Sequence, residues 1–197
     1  MRKFPYRIEC SNCAAQYAPR QLHNLCTKCN GPLLVLYDIS PAPELRVQTR
    51  MRSSTMWRFA ELLPVEDSDE VISLGEGSTP LLQSRVRQNL FIKDESKNPT
   101  RSFKSRGMAA AVTMAKNLGA KSLAAPTAGN AGAALSAYGA RAGIPVFVAM
   151  PKDTPRSILE ECRSFGAEVE LVAGVITDAG KRVQKYIAPF FGLTRRY

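Results

Sequence analysis

From Lys104 onward the chain alternates between two hydrophobic rhythms. Met108, Val112, Ala115 and Leu118 recur at helical spacing, which predicts a helix opening near Lys104 and stopping at Gly119. Ser122 to Ala125 predicts a short strand. The alanine-rich stretch Asn130 to Arg141 predicts a helix stopped by Gly143, and Pro145 to Met150 predicts a buried strand. Asp153 or Thr154 is expected to cap the next helix, with Pro155 near its first position and Gly166 at its end. Glu168 to Val172 reads as another strand, and Thr177 or Asp178 as the cap of a last helix running towards Tyr186. Strands alternating with helices of this length predict an α/β fold, a parallel sheet with flanking helices on both faces.

Before Lys104 the rhythm is broken. Pro32 to Asp38 is a strand-like apolar run. Residues 40 to 70 mix prolines, arginines and acids and read as a linker with one helix near Met56 to Leu63. Leu74 to Leu81 is a glycine-punctuated turn, and Leu90 to Lys93 a short strand. The expected organisation is a small module over 1–40, a linker and entry segment over 41–89, and an α/β domain over 90–197.

The 197 residues are 45% hydrophobic and 22% charged, a globular balance. No apolar run reaches membrane-spanning length, so no membrane partner is expected. The first seven residues lack the apolar run of a secretory signal, and the expected compartment is the cytoplasm. The formal net charge is +10, unevenly spread. Arg46, Arg50, Arg52 and Arg58 share their stretch with one acid, Glu44. Glu61, Glu66, Asp67, Asp69, Glu70 and Glu76 then follow with no base among them. Adjacent patches of opposite sign do not make the continuous basic stripe that nucleic acid requires.

Four of the five cysteines stand as Cys10-x2-Cys13 and Cys26-x2-Cys29. Two such knuckles can deliver four thiolates to a tetrahedral zinc, a closed and therefore structural site. Iron, or a pair of knuckles without metal, is the alternative reading of the same spacing. About 30 residues bury little apolar surface, so metal binding would supply much of this module's folding energy. Cys162 sits alone in a helical pattern and reads as a small buried hydrophobe. His23, the single histidine, lies between the knuckles, far in sequence from Lys104.

Two junctions carry candidate chemistry. Lys104 follows the polar turn Asn98-Pro99-Thr100-Arg101-Ser102-Phe103 and opens a helix, a place electrostatically unfavourable for a cation. It reads either as an exposed lysine of a first helical turn or as a lysine able to form a Schiff base with an aldehyde cofactor. Thr127-Ala128-Gly129-Asn130-Ala131-Gly132 links a strand pattern to a helix pattern. Its glycines allow close backbone approach, its amides suit an anion, and Asn130 can both donate and accept. The same loop also reads as a turn needing small residues only for packing.

Asn98 to Gly107 resembles the cofactor-lysine motif of threonine synthase and its relatives, the fold-type II pyridoxal-phosphate enzymes. Thr127 to Gly132 is similar to their asparagine loop. Leu74 to Pro80 resembles their Gly-Glu-Gly-x-Thr-Pro entry, and the cysteine module followed by Gly31-Pro32 resembles the small zinc ribbon that many threonine synthases carry. The resemblance implies a tryptophan-synthase-β-like fold with pyridoxal 5'-phosphate on Lys104 and Asn130 at the cofactor's phenolic oxygen. It implies a substrate carboxylate held by Thr127, Ala128, Gly129, Asn130, Ala131 and Gly132. It further implies structural zinc on Cys10, Cys13, Cys26 and Cys29, and a lyase that converts O-phosphohomoserine to threonine and phosphate.

The chain departs from the family's Gly-Ser-Phe-Lys-Asp-Arg-Gly at Arg101 and Ser105. That points to a threonine-synthase-like branch, of which cysteate synthase is one member. Family members are about twice as long, with their phosphate-binding glycine loop in the later half. The chain is therefore expected to be an N-terminal half with little activity alone, and a homodimer is expected of the longer protein. Competing expectations are another fold-type II reaction, such as cysteate synthesis or threonine deamination, and a non-enzymatic zinc-ribbon binding module.

Overall fold

The computed structural model describes residues 4–40, 43–66 and 68–187. Residues 1–3, 41–42, 67 and 188–197, and the side chains of Pro43, Glu44 and Arg46, lie outside the described residues.

Three short strands form the first sheet: β1 (Tyr6–Cys10), β2 (Gln16–Tyr17) and β3 (Leu33–Tyr37). Their order is β2-β1-β3, all antiparallel, and Cys10 faces Leu33 across β1 and β3. A short helix, α1 (Pro43–Arg50), follows where the sequence suggested only linker. The helix expected near Met56 is a 3₁₀ stretch over Met56–Leu62, kinked at Phe59. Two ties fasten this region to the first sheet. Arg20 grips Asp69 with two hydrogen bonds of 3.0 and 2.9 Å, and the Phe4 amide donates to the Glu61 carbonyl.

The strand expected at Leu90 to Lys93 forms, as β5 (Phe91–Lys93), and it pairs antiparallel with β4 (Leu81–Gln83). The hairpin leaves Leu81, Leu82, Phe91 and Ile92 exposed.

The α/β expectation is met from Lys104 on. The elements are α2 (Lys104–Asn117), β6 (Leu123–Pro126), α3 (Asn130–Ala142), β7 (Val146–Pro151), α4 (Arg156–Ser164), β8 (Glu168–Val172) and α5 (Ile176–Ile187). The sheet is parallel, in the order β6-β7-β8. Its central strand β7 is buried at all six positions, as a strand covered on both faces must be. Val146, Val148 and Met150 join the core with α2, α3 and α4, whereas Phe147 and Ala149 pack with Ala179 and Val183 of α5. Alternation along one strand thus serves two layers of helices.

Helix ends follow the glycine expectations. Gly119, Gly143 and Gly166 take φ of 79°, 69° and 82°, conformations that suit a residue without Cβ. The N-terminal caps do not. Pro155 itself is the residue before α4, with no side-chain cap, and the buried Thr154 hydroxyl has no partner. Asp178 lies inside the first turn of α5 and reaches back to accept from the Val175 amide at 3.1 Å. The buried stripe of α2 is also displaced from the predicted one. Ser105, Ala109, Val112 and Thr113 are buried, and only Val112 belongs to the predicted set. Thr113 is inside because its hydroxyl accepts from the Ile72 amide at 2.9 Å.

One buried carboxylate joins the parts. Glu76 is 0% exposed and accepts four hydrogen bonds. Trp57 Nε1 and Ser73 Oγ donate to Oε1 at 2.6 and 3.0 Å, and the Leu74 amide and Tyr138 Oη donate to Oε2 at 3.0 and 2.6 Å. Burial pushes the Tyr138 phenol well above its ordinary range and Glu76 adds to the shift, so Tyr138 remains a donor. Gly77 follows with φ 116°, and a Cβ there would lie 2.5 Å from the Met56 amide nitrogen. Glu76→Ala removes the acceptor of all four donors, the buried Tyr138 hydroxyl among them, and is expected to cost about 3–5 kcal/mol in urea unfolding. Tyr138→Phe, which leaves the carboxylate three of its four donors, is expected to cost about 1–3 kcal/mol. Equal losses for the two variants would remove Glu76 from the centre of this network.

Candidate functional site

The Lys104 turn is built by its inward side chains. β5 ends at Lys93. The Asp94 carboxylate then accepts from the Ser96 amide at 3.2 Å, and a single 3₁₀ turn, Glu95–Lys97, follows. The Asn98 carbonyl accepts from the Arg101 amide at 2.8 Å. Thr100 and Ser105, both buried, join their hydroxyls at 2.7 Å, and Ser102 Oγ accepts from the Lys104 amide at 3.3 Å. Asn98, Thr100, Ser102 and Ser105 all face inward. Phe103 is exposed and Lys104 half-buried, with Lys104 Nζ 4.5 Å from the centre of the Phe103 ring. That contact holds the amine against an aromatic face instead of leaving it free in solvent.

The turn is gripped from outside by Glu95. Arg106 donates from Nε to Oε2 at 2.7 Å and from Nη2 to Oε1 at 2.9 Å, a bidentate pair. Asn98 Nδ2 donates to Oε2 at 2.9 Å, and the Thr79 hydroxyl donates to Oε1. Hydrogen bonding from Arg106, against the opposing effect of burial and with help from Thr79 and Asn98, lowers the Glu95 carboxyl to about 2. Asn98 Oδ1 meanwhile accepts from the Gly77 amide at 3.2 Å, which joins the Lys104 turn to the glycine-rich entry.

The second junction lies at the carboxyl end of β6, the edge of a parallel sheet where ligands bind. Thr127 caps α3 from two residues upstream of the adjacent Gly129. Its Oγ1 accepts from the Gly129 and Gly132 amides at 3.1 and 3.2 Å. Thr127 and Gly132 are buried, Ala128 and Asn130 exposed, and Gly129 and Ala131 intermediate. A Cβ on Gly132 would meet Thr127 Cγ2 at 2.5 Å, so that glycine is needed for packing. The six residues therefore divide into a frame, Thr127 and Gly132, and an outward edge that includes Asn130. Helices α2 and α3 pack on each other, and Ser105, next to Lys104, lies beside the Tyr138 hydroxyl of α3.

The four N-terminal cysteines converge. Their sulfurs all lie within 4.8 Å of one another, with Cys10–Cys29 at 3.4 Å and Cys13–Cys26 at 3.5 Å. None is in a disulfide. A tetrahedron with metal–sulfur bonds of about 2.3 Å has sulfur–sulfur edges of roughly 3.8 Å, so the donor set fits one such ion. The two knuckles repeat one hydrogen-bond pattern. Ala14 donates to Cys10 and Asn30 to Cys26 at 3.0 and 2.8 Å, and both take positive φ, 55° and 57°. Tyr17 Oη donates to Cys26 Sγ at 3.2 Å and draws that thiol down to about 6.

Glu95 and Tyr138 were not singled out from the sequence, Glu76 entered it only within the acidic run and the entry motif, and Ser105 only as a departure from the family pattern. Glu95 had one readable signal, an acid eleven residues before an arginine that itself follows the lysine by two. A cavity of about 440 Å³ is lined by Arg58, Ser78, Lys93, Glu95 and Arg106 among others, but by neither Lys104 nor the 127–132 loop. Arg52 and Arg58 of the basic cluster are engaged in internal contacts. Arg52 pairs with buried Glu61 at 2.6 Å, and Arg58 donates to the Thr49 carbonyl.

Arg101 takes φ 52°, a left-handed conformation costly for a side-chain-bearing residue, at the position where the resembling motif carries glycine. Arg101→Gly is expected to raise stability by about 1 kcal/mol, the strain relieved outweighing the flexibility added to the unfolded chain. An unchanged or lower urea midpoint would show that the turn holds no such strain.

A family model described as "Pyridoxal-phosphate dependent enzyme" matches residues 72–193, which include the entry, the lysine turn and the 127–132 loop. Threonine synthase of Methanosarcina acetivorans is 37% identical over 181 residues, covering 88% of this chain and 44% of that protein. Threonine synthase of Methanocaldococcus jannaschii is 34% identical over 179 residues, covering 86% and 44%. The chain thus spans less than half the length of these relatives. Among solved structures, a pyridoxal 5'-phosphate-dependent aspartate racemase aligns with TM-score 0.52 at 27% identity, over 58% of this chain and 38% of the other. A processed threonine deaminase isoform 2 from Solanum lycopersicum aligns at 0.50 and 26%, over 58% and 35%. With a match that spans more than half of the residues and both candidate junctions, the chain belongs to the pyridoxal-phosphate-dependent enzyme family.

Proposed function

We propose that the chain is the N-terminal part of a threonine-synthase-like lyase acting on O-phosphohomoserine. The observation that carries this reading is the half-buried Lys104 on a turn whose Asn98, Thr100, Ser102 and Ser105 are buried, in a chain 37% identical to a threonine synthase. Lys104 Nζ is the amine that would hold the aldehyde of pyridoxal 5'-phosphate and afterwards move protons at the substrate's carbons. The bound cofactor supplies an electron sink for carbanions. Asn130, outward at the start of α3, would donate to the cofactor's phenolic oxygen. The backbone amides of the 127–132 loop would bind the substrate carboxylate, the Thr127 cap keeping them in place.

The parts of the reading follow the chain. Residues 1–40 are a module held by structural zinc on Cys10, Cys13, Cys26 and Cys29, residues 41–89 a linker and entry, and 90–197 a portion of the cofactor domain. The reduced cysteines suit a cytoplasmic protein. Among the described residues no helix is long and apolar enough to cross a membrane.

Incubation with pyridoxal 5'-phosphate and borohydride, followed by peptide mapping, is expected to label Lys104 ahead of other lysines, and Lys104→Ala is expected to lose that label. Labelling spread evenly over the surface lysines would count against the reading. The substrate is assigned by assaying the longer protein with O-phosphohomoserine against threonine and O-phosphoserine, since Arg101 and Ser105 depart from the threonine synthase motif. Metal analysis is expected to find one zinc per chain. Chelation is expected to melt residues 4–37 in hydrogen exchange and leave β6 to β8 protected. Protection of the first sheet surviving full metal removal would contradict the structural role.

A further inference from the structure

We propose that Glu95 is a positioning residue for Lys104, a single carboxylate that fixes both ends of the lysine turn relative to the glycine-rich entry. This rests on the reading of Lys104 as the cofactor lysine.

The geometry is specific. The turn begins at Asn98 and passes into α2 through Lys104 and Arg106. Glu95 Oε2 accepts from Asn98 Nδ2 at 2.9 Å at the front and from Arg106 Nε at 2.7 Å at the back. Oε1 accepts from Arg106 Nη2 at 2.9 Å and from Thr79, which belongs to the entry segment. Arg106 Nη2 also reaches Thr79 Oγ1 at 3.1 Å, and Asn98 reaches the Gly77 amide at 3.2 Å. The entry segment and both flanks of the lysine turn therefore close on one anion.

Lys104 projects from between the two gripped points. Its amide bonds to Ser102, and Ser102 and Ser105 hold the inner side of the turn. Asn98 meets the entry once, at the Gly77 amide, and Glu95 adds the contact that ties both flanks of the turn to Thr79. Arg106 lies two residues after the lysine, so on a helix it points to a different side. It can anchor the turn without competing for what Lys104 binds. The low carboxyl position of Glu95, set chiefly by Arg106, keeps the grip ionised throughout the neutral range.

The test uses the chain with pyridoxal 5'-phosphate and sodium borohydride. The lysine amine adds to the aldehyde carbon, water leaves, and borohydride delivers hydride to that carbon, so each labelled lysine carries a stable secondary amine. The readout is the labelling rate at Lys104 divided by the rates at exposed Lys121 and Lys152, compared among variants that still melt cooperatively, because unfolding alone would bring Lys104 down to the rate of an exposed lysine. Glu95→Gln retains shape but loses the charge-assisted bonds, and Arg106→Gln cuts the same grip from the other side. Both are expected to reduce the ratio about tenfold, the size of one such bond, with Lys121 and Lys152 unchanged. Glu95→Asp, which keeps the charge, is expected to recover part of it.

An unchanged ratio in either folded variant overturns the positioning role while leaving Lys104 as cofactor lysine. A fall that appears only together with loss of cooperative melting makes Glu95 merely structural and overturns it as well. Wild-type chain with no preference for Lys104 removes the cofactor reading and the positioning role together.

Discussion

The buried Glu76 carboxylate is the constraint on which the arrangement of this chain depends. A carboxylate with no solvent contact is costly unless its oxygens are satisfied, and here four donors satisfy them. Those donors come from the 3₁₀ stretch, from the entry loop and from α3. The requirement to pair one anion therefore fixes the distance between segments that share no sheet. Tyr138 then sits beside Ser105, and the start of α2 inherits its place from the same network.

A second anion, Glu95, does for the lysine turn what Glu76 does for the body. The two differ in exposure and in the kind of donor. Glu76 is bound by neutral groups in the interior, whereas Glu95 takes a guanidinium at the margin and is held ionised by it. Between them runs Gly75–Thr79, contributing a carboxylate to one network and a hydroxyl and an amide to the other. The entry motif is thus a bridge between two charge-centred clusters. The cysteine module is tied in separately, through Arg20 and Asp69, and its four sulfurs lie within 4.8 Å of one another.

Much of this was legible from residue spacing. The knuckle cysteines, the three parallel strands, the helices between them and the glycine stops follow from local rules, because each depends on residues a few positions apart. The start of α2 at Lys104 and the junction between β6 and α3 were legible for the same reason. The helix caps before α4 and α5 were misjudged, since Pro155 precedes α4 with no side-chain cap and Asp178 acts from inside the first turn of α5, its carboxylate accepting from the Val175 amide. The α2 face was misjudged because Thr113 goes inside to meet a backbone amide 41 residues away. The β4–β5 hairpin was half visible, its second strand predicted and its partner not, since three-residue strands carry almost no periodic signal.

By itself the sequence determined the class of fold, the four-thiol cluster and the two junctions bearing Lys104 and Asn130. All of these are written in periodicity, in Gly and Pro punctuation or in short fixed spacings. Only the tertiary structure decided which polar residues turn inward. It made Thr127 a cap and Asn130 an outward group, and it gathered Trp57, Ser73 and Tyr138 on Glu76, and Thr79, Asn98 and Arg106 on Glu95. The physical reason is that a hydrogen bond to a buried anion pays no regard to sequence separation. Its partners are chosen by the packing of whole elements, and no local pattern announces them.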